Sequence, residues 1–238
     1  MTAGVASEPR TAAALVRRGR AVSIAGLIGV AAVFVLALRF TPVEARQGLP
    51  QKIFYLHVPA AWMALLAFSI VGITSIIFLW LRDSRLDLFA EATAEVGLIF
   101  SCVMLTTGPL WGKPVWGTWW QWDPRLTLTL FLFFLYVGYL ALRSALHDPA
   151  ERARFSAVVA ILGLVLVPFV HLSVYLFRTI HPLPVVLKPS APSLPGSMLR
   201  TLLIALAVNM VLGAGLLMMR YGLGRMAADR ARREAGRV

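Results

Sequence analysis

The sequence predicts an all-α membrane protein of six transmembrane helices with both termini in the cytoplasm, and three observations carry that prediction. Hydrophobic residues fill 59% of the 238 positions and charged residues only 14%, a balance typical of membrane proteins and not of soluble domains. The apolar residues fall into six runs close to the roughly 20 residues a helix needs to cross a bilayer core. Placing the N-terminus inside puts 15 of the 23 Lys and Arg residues on the cytoplasmic side, as the positive-inside rule requires.

Each element follows in order. Residues 1–20 form a basic cytoplasmic arm. The first run, Ala21 to Leu38, follows Arg17, Arg18 and Arg20 as a secretory signal would. It is longer than a signal core and lacks a small-x-small exit, so it reads as a retained helix. The second run, Val58 to Leu81, is preceded by His57 and opened by Pro59. The third, Ala92 to Leu110, holds Cys102. The fourth, Leu126 to Leu142, is launched by Asp123 as N-cap and Pro124 in the first turn. The fifth, Phe155 to Phe177, carries His171 about two turns inside its outer end. The sixth is Arg200 to Met219. Residues 21–220 thus make the transmembrane domain, and 221–238 a basic cytoplasmic tail that reads as a topology signal or anionic-lipid contact. Helices are the natural form because lipid offers the backbone no hydrogen bonds.

Several function classes drop out. The net charge of +12 suits nucleic acid in total but not in placement, since it follows the membrane sidedness. Cys102 is the single cysteine, so the chain has no disulfide, no CxxC redox pair and no CxxCH haem attachment. No GxxxxGK[ST] or HExxH occurs, so any ATP hydrolysis belongs to another subunit.

The unusual chemistry lies on the outer face, in Arg39 to His57, Trp111 to Arg125 and Arg178 to Leu199. The last has prolines at 182, 184, 189, 192 and 195 and reads as extended and helix-poor, a connector or a docking edge. The middle segment, WGKPVWGTWWQWDPRLT from Trp111 to Thr127, holds five of the seven tryptophans: Trp111, Trp116, Trp119, Trp120 and Trp122. Gly112, Pro114 and Gly117 interrupt a helix, which suggests a folded shelf between helices 3 and 4. An interfacial aromatic belt and a stacking platform for a planar ligand both fit these indoles. Lys113 and Arg125 bracket them and suit either ligand carboxylates or lipid headgroups.

Haem meets the platform's requirements: an apolar macrocycle, two carboxylates on one edge and an iron that takes imidazole. His57 and His181 flank the shelf at one depth. His147, in LHDPAER, lies on the cytoplasmic side. His171 suits an intramembrane site or an interhelical hydrogen bond equally.

These motifs resemble a known family. The Trp-rich stretch is similar to the WWD signature of haem-handling proteins of c-type cytochrome maturation, and FYLHVPAAW, LFFLYVGYLAL and VHLSVYLFRTIHP extend the likeness to the cytochrome c maturation protein C (CcmC, haem exporter protein C) family. The resemblance implies an outward-facing WWD shelf, with His57 and His181 as the axial ligands of a noncovalent, bis-histidine haem b. It implies a site on the periplasmic face of the bacterial inner membrane that delivers haem to a CcmE-like chaperone, beside ABC transporter subunits and a small membrane subunit. Calling such haem transfer enzymatic is a matter of definition. The chain departs from the family's usual Trp pair and Gln with Leu176, Phe177 and Pro182. Two other classes compete: a solute-transporter subunit, which needs polar residues converging at the midplane, and a cytochrome b-like subunit, which needs paired histidines deep in facing helices.

Overall fold

A computed structural model describes residues 8–236 of the chain; the first seven residues of the basic arm and the last two of the tail lie outside the described residues. Six helices are present: α1 (Glu8–Phe40), α2 (Phe54–Leu81), α3 (Ser84–Trp116), α4 (Pro124–Ala145), α5 (Pro149–Leu176) and α6 (Gly196–Ala235), with a 3₁₀ turn at Leu49–Ile53. All six are long and apolar enough to cross a membrane. The β pairing among the described residues is one isolated bridge, Glu44 with Gly48.

Helix starts are written into the sequence as aspartates. Asp83, Asp123 and Asp148 each accept the backbone N–H two residues on, from Arg85, Arg125 and Ala150. These bonds satisfy donors that a helix leaves orphaned at its N-terminus. Pro124 and Pro149 follow two of the caps, where the missing proline N–H is no loss.

Several ends differ from expectation. α3 does not stop at Leu110: it runs through Gly112 and Pro114 and ends at Gly117, whose φ of 79° and N–H to Lys113 O (3.0 Å) close it. A left-handed residue there favours glycine. Pro59 does not open α2 but lies inside it, so His57 occupies the first turn. Neighbouring helices let transmembrane segments keep internal Pro and Gly. α1 includes arm residues 8–20, and α6 continues to Ala235. Forty residues make α6 about 60 Å long, twice a hydrocarbon core.

α2 is the central helix, its Ala60, Ala64, Phe68 and Val71 packed among Ala94 and Phe100 of α3, Tyr136 of α4, Ala160 of α5 and Leu212 of α6. Tyr136 stacks on Phe68 (3.9 Å between centroids) and donates its hydroxyl to Phe68 O at 3.0 Å. Gly163 makes room, since a Cβ there would lie 2.7 Å from the Tyr136 ring. α1 and α6 touch backbone to backbone: a Cβ on Gly215 would meet Ser23 N at 2.4 Å. Close approach through small residues is how helices associate without a hydrophobic drive.

At the end of the bundle opposite the tryptophans, α3 presents Asp87, Glu91 and Glu95 on one face. Arg143 of α4, only 4% exposed, reaches Asp87 Oδ1 (2.6 Å) and Oδ2 (2.9 Å) and Glu91 Oε2 (3.0 Å). Arg220 of α6 pairs with Glu95 (Nη2 to Oε1, 2.6 Å). These pairs tie α4 and α6 to α3.

Candidate functional site

The first turn of α2, the last turns of α3, the first turn of α4 and the irregular segment 177–195 surround a cavity of about 590 Å³, a size that holds small molecules and cofactors. His57 and His181 both line it.

The rings are oriented by what their Nδ1 atoms meet. His57 Nδ1 lies 3.0 Å from Thr107 Oγ1. That hydroxyl donates to Val103 O at 2.7 Å, so it accepts from the imidazole, whose Nδ1 therefore carries the hydrogen. Gly108 leaves space for the ring, since a Cβ would lie 3.2 Å from His57 Cε1. His181 Nδ1 lies 3.0 Å from Pro182 O, a pure acceptor, so it too carries the hydrogen. Both rings thereby keep a bare Nε2 lone pair, the arrangement that fixes metal-ligating histidines. Burial pushes the His181 pKa down to about 4, helped by the nearby Arg125 cation, so this imidazole is neutral at ordinary pH.

Indoles flank both imidazoles. Trp111 lies edge-on to His57 (5.8 Å between centroids, 70°) and donates Nε1–H to Gln47 Oε1 at 2.9 Å. Trp116 lies 6.3 Å from His181. Trp119, Trp120, Phe54 and Trp62 add to the aromatic lining, and Arg125 adds a cation. Arg125 Nη1 and Trp120 Nε1 are buried with no hydrogen-bond partner among the described residues. Unpaired buried donors destabilise a site until an acceptor arrives. A carboxylate-bearing ligand would supply one.

The residues singled out from sequence divide accordingly. Trp111, Trp116, Trp119, Trp120, Arg125, His57 and His181 come together around one cavity. Lys113, Trp122 and Asp123 do not line it. Lys113 donates to Gly117 O (3.0 Å) and sits 6.0 Å over the Trp119 ring; Trp122 is 76% exposed. Asp123 is 6% exposed, and besides capping α4 it accepts the Ile180 N–H at 2.8 Å. His147 is exposed and remote, whereas His171 lines the same cavity.

The donor set suits haem. His57 and His181 line one cavity with their Nδ1 atoms engaged, and two such imidazoles suit a metal whose macrocycle supplies the remaining donors. Thr107, Gln47 and Ile180 were not legible as site residues. Thr107 had one signal, its place one helical turn before Trp111 on the face turned to His57.

A profile of the family described as "CcmC: Heme exporter protein C" matches residues 3–236. Proteins named "Heme exporter protein C" are similar: that of Haemophilus influenzae is 35% identical over 87% of this chain and 83% of its own. That of Bradyrhizobium diazoefficiens is 37% identical over 74% and 69%, and that of Escherichia coli K12 is 36% identical over 67% and 65%. The chain is therefore a member of the heme exporter protein C family.

Proposed function

We propose that this chain binds haem noncovalently on the periplasmic face of the bacterial inner membrane and delivers it to a periplasmic haem chaperone for c-type cytochrome biogenesis. The observation that carries the reading is the pair of imidazoles, His57 and His181, each with Nδ1–H engaged and Nε2 bare, on one indole-walled cavity. The names of its relatives, heme exporters, agree with it. The 15 of 23 basic residues that fall inside with a cytoplasmic N-terminus support an outward-facing cavity.

Haem brings an iron with two free axial positions and a carboxylate edge. His57 and His181 would hold the iron, Trp111, Trp116, Trp119 and Trp120 would give the ring an apolar stacking surface, and Arg125 would meet a carboxylate. No covalent bond to the chain is needed, so release requires only ligand exchange. ABC transporter subunits and a small membrane subunit complete the assembly in this reading.

The test is transfer. Protein purified from haem-replete cells should carry haem and lose it to a soluble haem-chaperone domain on mixing, while the His57→Ala, His181→Ala double variant carries none. Haem that is retained by the double variant would falsify the reading.

One observation favours a second reading: His171 shares the cavity. A cytochrome b-like site would use it as a ligand. That reading requires His171→Ala to abolish the low-spin spectrum; ours requires the spectrum to survive.

A further inference from the structure

Asp123 closes the Trp-rich signature yet stays behind the cavity wall, and its two carboxylate oxygens hold two different segments. Oδ1 accepts Arg125 N–H at 2.9 Å, the N-cap of α4; Oδ2 accepts Ile180 N–H at 2.8 Å, one residue before His181. Segment 177–195 has no helix or strand. Among the described residues, no other backbone group of residues 178–183 is hydrogen-bonded outside that stretch. A ligating side chain works only if its backbone is held within about 0.5 Å, and a loop without ladder bonds does not hold itself.

We propose that Asp123 is a positioning residue: its carboxylate fastens the Ile180 amide to the start of α4 and so sets the His181 imidazole opposite His57. This rests on the reading of His181 as an axial ligand. The choice of carboxylate follows from the two-bond role. An ionised carboxylate accepts at both oxygens, and such charge-assisted bonds are about twice as strong as neutral ones. Asparagine and serine are equally good N-caps, but neither has a second acceptor oxygen: asparagine would turn an N–H₂ toward the Ile180 N–H. Asp123→Asn and Asp123→Ser therefore keep the cap and lose the clamp.

Two measurements test it. The first is deuterium exchange on the haem-free full-length protein. In the wild type the Ile180 amide should exchange about tenfold or more slowly than the neighbouring amides of 178–183 that have no partner. In both variants that protection should vanish while the first turns of α4 stay protected. The second is the visible spectrum of the haem-loaded protein. Both variants should convert a large fraction of low-spin haem to high-spin, and free imidazole should restore the low-spin form, as it should for His181→Gly.

An unprotected Ile180 amide in the wild type overturns the clamp without any variant. A wild-type spectrum in Asp123→Asn leaves Asp123 as a cap alone. Weakened haem retention with an unchanged low-spin fraction and no imidazole response makes Asp123 a direct ligand contact, which also overturns the proposal. If the wild type shows no bis-imidazole haem while Ile180 is protected through Asp123, the clamp stands and the haem reading fails.

Discussion

The two ends of the bundle both bury cations, and they treat them oppositely. At one end Arg143 meets two carboxylates, with three bonds of 2.6 to 3.0 Å, and lies over Tyr139; only its Nε lacks a partner among the described residues. At the other end Arg125 Nη1 is buried without a hydrogen bond, beside an indole N–H in the same state and two imidazoles with bare Nε2 atoms. A paired buried cation locks helices together. One on a cavity wall whose Nη1 has no hydrogen-bond partner among the described residues is open to an acceptor that comes and goes. The first region is built for stability and the second for binding, so variants at the two ends should separate cleanly.

The largest effect belongs to the paired end. Arg143→Ala leaves Asp87 and Glu91 without their cation and should lower stability by about 3–5 kcal/mol, read as a fall in thermal midpoint in detergent. Replacing Arg143, Asp87 and Glu91 together by Met or Leu should recover most of it, because an apolar triad of similar volume carries no desolvation penalty. The haem spectrum of the folded protein should be unchanged in both. A spectral change would join the two ends and break the comparison.

Arg125→Ala should do the reverse. Thermal stability of the haem-free protein should hold or rise, because a buried unpaired donor is removed. Haem retention should fall about tenfold or more, the worth of a charge-assisted hydrogen bond of about 1.5–3 kcal/mol. Competition with a haem-binding apoprotein measures it. Trp120→Phe, which keeps a ring and removes the N–H, should cost less, about 0.5–1.5 kcal/mol.

Acid sharpens the contrast further. Burial lowers the folded pKa of His181 to about 4 from an ordinary value of 6.5. Because the unfolded chain takes up this proton first, the neutral ring is without penalty above about pH 6.5, and stability is lost as pH falls from there toward 4. His181 should accordingly stay neutral and able to ligate through the mildly acidic range, followed as retention of the low-spin spectrum between roughly pH 7 and pH 5. The smallest effects should come from Lys113→Ala and His147→Ala, off the wall and exposed, within about 0.5 kcal/mol on either readout.

The spans were legible because apolar length is a property of local sequence. The ends were not. Gly112, Pro114 and Pro59 carry breaker signals that hold for helices in water, and packed transmembrane helices override them. α1 and α6 extend past their apolar runs because each gives the other a partner: Gly222 sits against Val16 and Ala12 outside the first predicted span. In the site, His57, His181, four tryptophans and Arg125 stood out as residue types that carry chemistry. Thr107, Gln47 and the Ile180 amide act through contacts across 50, 64 and 57 residues of chain, which no local pattern announces. Asp123 was legible as a cap because capping is local, and its second bond was hidden for the same reason.

The measurement that bears most directly on the central claim is the visible spectrum of the purified, haem-loaded protein and of its His57→Gly and His181→Gly variants, each with and without free imidazole. Two neutral imidazoles presented through Nε2 predict low-spin haem in the wild type. Each single variant should turn high-spin and return to low-spin when imidazole fills the vacated position, and the double variant should hold no haem without it. A low-spin spectrum that survives the loss of both His57 and His181, and disappears instead with His171→Ala, would contradict the account.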